Sequence, residues 1–166
     1  MVTVMRNRFS LGFGIGLAAV AIAVAGIYYM QRGAHVELTG RFLKVRVAPL
    51  DEHSSVAVVD FRFTNPSDYA FVVRGVTVVL QDATDASADG STVSETDTER
   101  LFEGVPLLGQ KYNKSLIALD KIAPHASEDR MIAARFEFPA SMLEKRKRFT
   151  VRIEEVDGGV SEIREK

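Results

Sequence analysis

His35, His53 and His125 are the side chains here best suited to metal ligation or general-base chemistry, and their spacing supports neither. No two stand four apart on a helical pattern, and Cys is absent, so the converging ligands of a zinc site are missing. They read as solvated loop and linker residues. The serines lack a Gly-x-Ser-x-Gly elbow, and there is no glycine-rich phosphate loop. The segment from Asp82 to Glu99 is richer, with Asp82, Asp85, Asp89, Glu95, Asp97 and Glu99 and no Lys or Arg. Asp85, Ser87 and Asp89, with Gly90 next, follow the opening of a calcium loop, whose bidentate acid belongs at the twelfth position. Thr96 stands there, between Glu95 and Asp97. The register fails by one, so a solvated hairpin loop around Asp89-Gly90 is expected. A calcium loop of Asp85, Ser87, Asp89 and Glu95 is the alternative. Scattered acids such as Asp60 and Asp120 would make an enzyme only if folding gathered them in a pocket, and nothing in their spacing does so. The expectation is a protein without cofactor and without catalytic activity.

Charge narrows the partners. Apart from Arg6 and Arg8 the first 31 residues are uncharged, leaving 19 basic against 22 acidic side chains beyond them. That mild negative balance argues against nucleic acid. The one basic run, Lys145-Arg146-Lys147-Arg148, is suited to anionic head groups or an acidic partner, but beside Glu144 it reads as an exposed connection entering a strand.

The elements that would position these residues begin with the uncharged run from Phe9 to Met30, preceded by a basic tail, residues 1–8, and followed by Arg32. At about 1.5 Å per residue a helix over 9–30 reaches about 33 Å, enough for a hydrocarbon core of about 30 Å. A retained transmembrane signal anchor is expected, with Tyr28 and Tyr29 at its far interface. Ala23-Val24-Ala25 is a small-x-small site, so secretion after cleavage near Ala25 is the alternative. Arg6 and Arg8 place the tail in the cytoplasm and the following domain outside the inner membrane, although Arg32, Arg41, Lys44 and Arg46 weigh the other way. Gly12, Gly16, Ala19, Ala23 and Gly26 share one helix face through which a homodimer could pack.

After a linker at 31–39, period-2 alternation dominates 40–166. Leu43, Val45 and Val47 alternate with Lys44 and Arg46, and Ala57, Val59, Phe61 and Phe63 oppose Val58, Asp60, Arg62 and Thr64. Asn65-Pro66-Ser67-Asp68 stops that strand. A third strand is expected over 70–81, with a bulge at Gly75. Ser94-Glu95-Thr96-Asp97 has capping-box form and opens a short helix through Leu101 and Phe102. Further strands are expected at 115–119, 131–138 and 149–156, and Asp157-Gly158-Gly159 turns into a last one at 160–163. Between them Pro139 and Ser141 to Arg146 suit one or two helical turns. The pattern predicts an all-β, immunoglobulin-like antiparallel sandwich with one or two short helices.

Val58-Val59-Asp60-Phe61-Arg62-Phe63-Thr64-Asn65-Pro66-Ser67, followed by Val76-Thr77-Val78-Val79-Leu80, resembles the strand, Asn-Pro turn, strand signature of LEA14/WHy-type immunoglobulin-like domains of membrane-attached bacterial proteins. The resemblance implies a sandwich and a non-enzymatic role, and brings no site residues. The expected function is a single-pass, extracytoplasmic (periplasmic) binding or scaffolding module for another envelope protein. The alternatives are a calcium-stabilised adhesive module and an enzyme whose site is invisible in sequence.

Overall fold

The structure, a computed structural model, describes residues 3–31 and 37–166. The chain divides into two units, Met1–His35 and Val36–Lys166. The first contains helix α1, Thr3–Gln31. Its described side chains run from Gly12 to Gly26 and are all exposed, including Phe13, Ile15, Leu17, Val20, Ile22 and Val24 at 61–73%. Among the described residues no helix is long and apolar enough to cross a membrane. The ends of the expected span, 9–11 and 27–30, lie outside the described side chains, and His35 and Arg32 lie outside the described residues.

The second unit is mostly antiparallel sheet with a few short helices. Its strands are β1 (Thr39–Pro49), β2 (Ser55–Thr64), β3 (Phe71–Gln81), β4 (Ser87–Thr92), β5 (Lys121–Ile122), β6 (Ser127–Phe136), β7 (Arg148–Glu155) and β8 (Val160–Arg164). They are ordered β1-β2-β6-β4-β3-β7-β8, with β5 added to β3. Two layers result: β1, β2 and β6 in one, β3, β7 and β8 in the other. Strand β4 joins them, since Ser87–Gly90 pair with β3 while Ser91 and Thr92 pair with β6. At the opposite margin β1 approaches β8. The Leu38 N–H donates to Ser161 Oγ at 2.8 Å, and a Cβ on Gly40 would lie 2.5 Å from the Arg62 carbonyl oxygen and 2.7 Å from Ile163 Cδ1. Only glycine allows that approach.

Between the layers lies the main core, where Ala57, Val59, Phe61 and Phe63 of β2 meet Val76, Val78 and Leu80 of β3 and Phe149, Val151 and Ile153 of β7. The inward parity of β2 is as the alternation predicts. In β1 it is not uniform. A register shift between Phe42 and Lys44 marks a bulge at Leu43, so Phe42 packs on the core together with Val45 and Val47 while Leu43 is left exposed.

The back of the β1-β2-β6 layer is covered as well. Val56, Val58, Ala48, Met131 and Ala133 form a second cluster with Leu108, against which Leu101, Phe102 and Val105 pack. These cover residues come from helix α2, Glu95–Gly104, the linking Val105 and the single helical turn Pro106–Leu108. Ser94 caps α2 as its sequence predicts, accepting the Asp97 N–H at 3.2 Å. A further short helix, α3 (Ala140–Glu144), precedes β7.

Two further expectations fail. Residues 115–119 form no strand: Ser115 makes an isolated parallel bridge to Met131, and Leu119 turns the chain at φ 70°. The loop expected around Asp89-Gly90 is the strand β4. Gly90 is buried there, and a Cβ would come within 2.6 Å of the Phe136 ring and 2.9 Å of Ala134 Cβ. The residue that read as turn chemistry instead makes room for an aromatic ring.

Candidate functional site

Arg46 and Asp60 form an enclosed ion pair, their side chains 7% and 3% exposed. Arg46 pairs with Val58 across β1 and β2, so Asp60, two residues on, is its diagonal neighbour on the same face. The Arg46 guanidinium donates to Asp60 Oδ2 at 2.6 Å and to the Leu108 and Gln110 carbonyls at 2.7 Å each. It also lies 4.9 Å from the Phe102 ring centre and 5.6 Å from that of Tyr112. Asn113 Nδ2 donates to Asp60 Oδ1 at 2.8 Å. Both carboxylate oxygens are engaged, and the arrangement ties the α2 cover to the sheet. Asp120 lies elsewhere, accepting the Ile117 N–H at 3.1 Å, with Arg130 Nη1 3.7 Å away. The structure gives each acid its own partners rather than bringing the two together.

The other sequence candidates are dispersed. Asp85, in a turn at φ 66°, is paired with Lys147; Ser87 and Asp89 project from β4; Glu95 lies in α2, paired with Lys111 and accepting the Ser115 N–H at 3.2 Å. Burial pushes the Glu95 carboxyl up, but Lys111 and Ser115 outweigh it and hold it below the usual range. Among the described residues no group of three or more His, Asp or Glu side chains is gathered for a metal. His53 is exposed in the turn before β2, and His125 Nε2 lies 2.9 Å from Asp68 Oδ1. Gly12, Gly16 and Gly26 have nothing within 4 Å of a notional Cβ. The basic run connects α3 to β7 and is largely engaged: Arg146 holds Glu165 and stacks 4.5 Å from the Phe149 ring centre, while Arg148 Nε donates to Gln81 Oε1 at 2.6 Å.

Sequence reading missed a different feature, the outer face of the β3-β7-β8 layer. Because Phe149, Val151 and Ile153 point inward, Arg148, Thr150 and Arg152 point out. The register sets Thr150 opposite both Val79 and Arg164, Arg148 opposite Gln81, and Arg152 opposite Glu162. These residues and Ser87 line a hollow of about 210 Å³. Glu162 is the one carboxylate in it, accepting from Arg164 Nη2 at 2.8 Å and Arg152 Nη2 at 3.4 Å. Arg164, more than Arg152, holds the Glu162 carboxyl below its usual range against the opposing effect of burial. Glu162 and Arg164 also line a second, open cleft of about 700 Å³ with Glu37, Gly40, Val160, Glu165 and Lys166. The alternation of Arg148, Thr150 and Arg152 was visible in the sequence. The placement of Arg164 beside them was not, since it depends on the β7–β8 register.

No family model matches the chain, and no curated protein matches it. Among solved structures it is similar to a protein from Bordetella pertussis assigned as ApaA, at 16% identity over 80% of this chain and 90% of that one, with a TM-score of 0.36. It is also similar to an uncharacterised β-sandwich protein from Clostridium difficile, at 12% identity over 81% and 87%, with a TM-score of 0.39. The two-layered sheet described above rests on its own strand pairing.

Proposed function

We propose that the chain is a single-pass, membrane-anchored module whose immunoglobulin-like sandwich, outside the inner membrane, binds or scaffolds another envelope component. The observation that carries this reading is the contrast between the two layers. The reverse side of the β1-β2-β6 layer is covered around Val56, Val58 and Met131 by α2 and the turn after it and pinned there by Arg46 and Asp60, with the Arg62–Asp129 pair exposed beyond the cover. The β3-β7-β8 layer presents a bare polar face with a hollow in it. A covered face is core, whereas an uncovered one is available to a partner.

The finer parts of the reading have separate supports. The division into β1-β2-β6 and β4-β3-β7-β8 corresponds to the A-B-E and C′-C-F-G partition of immunoglobulin-type Greek keys. The likeness of the β2 turn to LEA14/WHy-type domains points the same way. For the anchor, residues 9–30 carry no charge, and a helix apolar on every side calls for an apolar surrounding. Arg6 and Arg8 favour a cytoplasmic tail.

Protease added outside the inner membrane tests the arrangement. The sandwich should be digested while the N-terminal tail stays protected. Digestion only after the cytoplasm is opened would reverse the topology, and a mature chain starting just after Ala25 would replace the anchored protein with a secreted one.

A further inference from the structure

We propose that the arginine-lined hollow on β3, β7 and β8 is a docking groove for an extended acidic peptide segment of a partner protein. This rests on reading the sandwich as a binding module and names what its bare face takes.

Composition comes first. Arg148, Arg152 and Arg164 surround Thr150, with Glu162 as the only carboxylate among the lining residues. Like charges set beside one another on a sheet repel, so such a cluster lowers its energy by taking an anionic partner. Each guanidinium offers a planar fork suited to carboxylate. Arg148 is steadied through Nε by Gln81, which leaves its outer nitrogens to a ligand. Arg164 is held by Glu162, whose negative charge a bound carboxylate would have to displace.

Shape decides between a small anion and a chain. Arg148 and Arg152 stand four residues apart on one strand, a separation of about 13 Å. An extended peptide repeats its side chains on one side with the same period, so acidic residues four apart would meet both arginines. The larger cleft beyond β8 shares Glu162 and Arg164 with the hollow but adds Glu37 and Glu165 against Lys166, so the basic track follows β7 from Arg148 to Arg152 and ends at β8. A phosphate ion would use only a fraction of it.

The test uses the full chain in non-ionic detergent and a fluorescein-labelled hexaglutamate peptide, read by anisotropy at low salt. The peptide should bind, and added salt should weaken it. Arg148→Gln, Arg152→Gln and Arg164→Gln should each weaken binding about threefold, as expected of exposed ion pairs, and the triple variant should lose it. Glu162→Gln should tighten binding about threefold, because the internal competitor is gone, an effect that a merely structural ion pair would not produce. Arg62→Gln, in the other layer, should change nothing. Absence of binding would overturn the proposal. Binding indifferent to the three arginines would overturn the groove while leaving the sandwich a binding module. Displacement by inorganic phosphate at matched charge would replace the peptide with a generic oxyanion.

Discussion

The Arg46–Asp60 pair shows how one buried charge can organise a surface. Taking a guanidinium out of water is costly unless its donors are matched, and here two carbonyls and a carboxylate take its outer nitrogens and two aromatic rings lie against it, while the buried Nε is left without an acceptor. Two of those partners belong to the cover, so the charge fixes the 105–113 segment as well as itself. Arg46→Ala should therefore destabilise the protein by about 3–5 kcal/mol, since it leaves Asp60 buried beside a single amide donor. Arg46→Met with Asp60→Leu should recover much of that loss, because the uncompensated charge is removed with its partner. Urea unfolding of the two variants decides the matter, and a double variant no better than the single would show that the pair acts through packing rather than charge.

At the scale of elements, β4 and the cover carry the same lesson in different chemistry. Gly90 is a strand glycine because the Phe136 ring occupies the space of its side chain. Gly90→Val should cost about 1–3 kcal/mol as the ring is forced aside, a loss visible as a lower thermal midpoint. A midpoint unchanged within error would mean that the β4–β6 junction opens freely. This glycine also explains what could be read in advance. Strand β2 was legible because apolar residues recur at every second position from Ala57 to Phe63, and α2 because its cap is a local signal. Strand β4 was hidden because Ser, Asp and Gly are turn formers whose role here is set by Phe136, forty-six positions away. The burial of Arg46 and Asp60 was hidden for the same reason: the residues that cover them lie more than forty positions downstream. The candidate groove was half legible, its β7 arginines lying on one face by period and Arg164 joining them through register alone.

Over the whole molecule, ion pairs tie strands and segments together through carboxylates that are more acidic than usual. Asp129 is held low by Arg62, Glu162 by Arg164, and Glu165 by Arg146 and the Phe149 N–H, which for Glu165 overcome the upward push of burial. A carboxyl depressed on folding binds fewer protons folded than unfolded. Its stabilisation is complete above the ordinary value of about 4 and is lost as pH falls through the lower folded value. The urea midpoint should accordingly be flat from pH 7 to about pH 5 and drop below about pH 4, and a midpoint rising on acidification would contradict the ion-pair assignment. The margin where β1 meets β8 sets a second global expectation, which concerns where the sandwich begins. Leu38 precedes β1, in the stretch that reads as linker, yet it is buried at 2% exposure and its N–H is satisfied by Ser161 Oγ. A chain beginning at Ala34 keeps that residue and should be soluble, with a far-ultraviolet spectrum dominated by sheet. One beginning at Gly40 loses a core leucine and leaves the Ser161 hydroxyl at the β8 margin without its donor, and should be less stable by about 2–5 kcal/mol. Comparable unfolding midpoints for the two chains would show that the β1–β8 approach is not part of what holds the layers together, and a helical spectrum for the longer one would remove the sandwich itself.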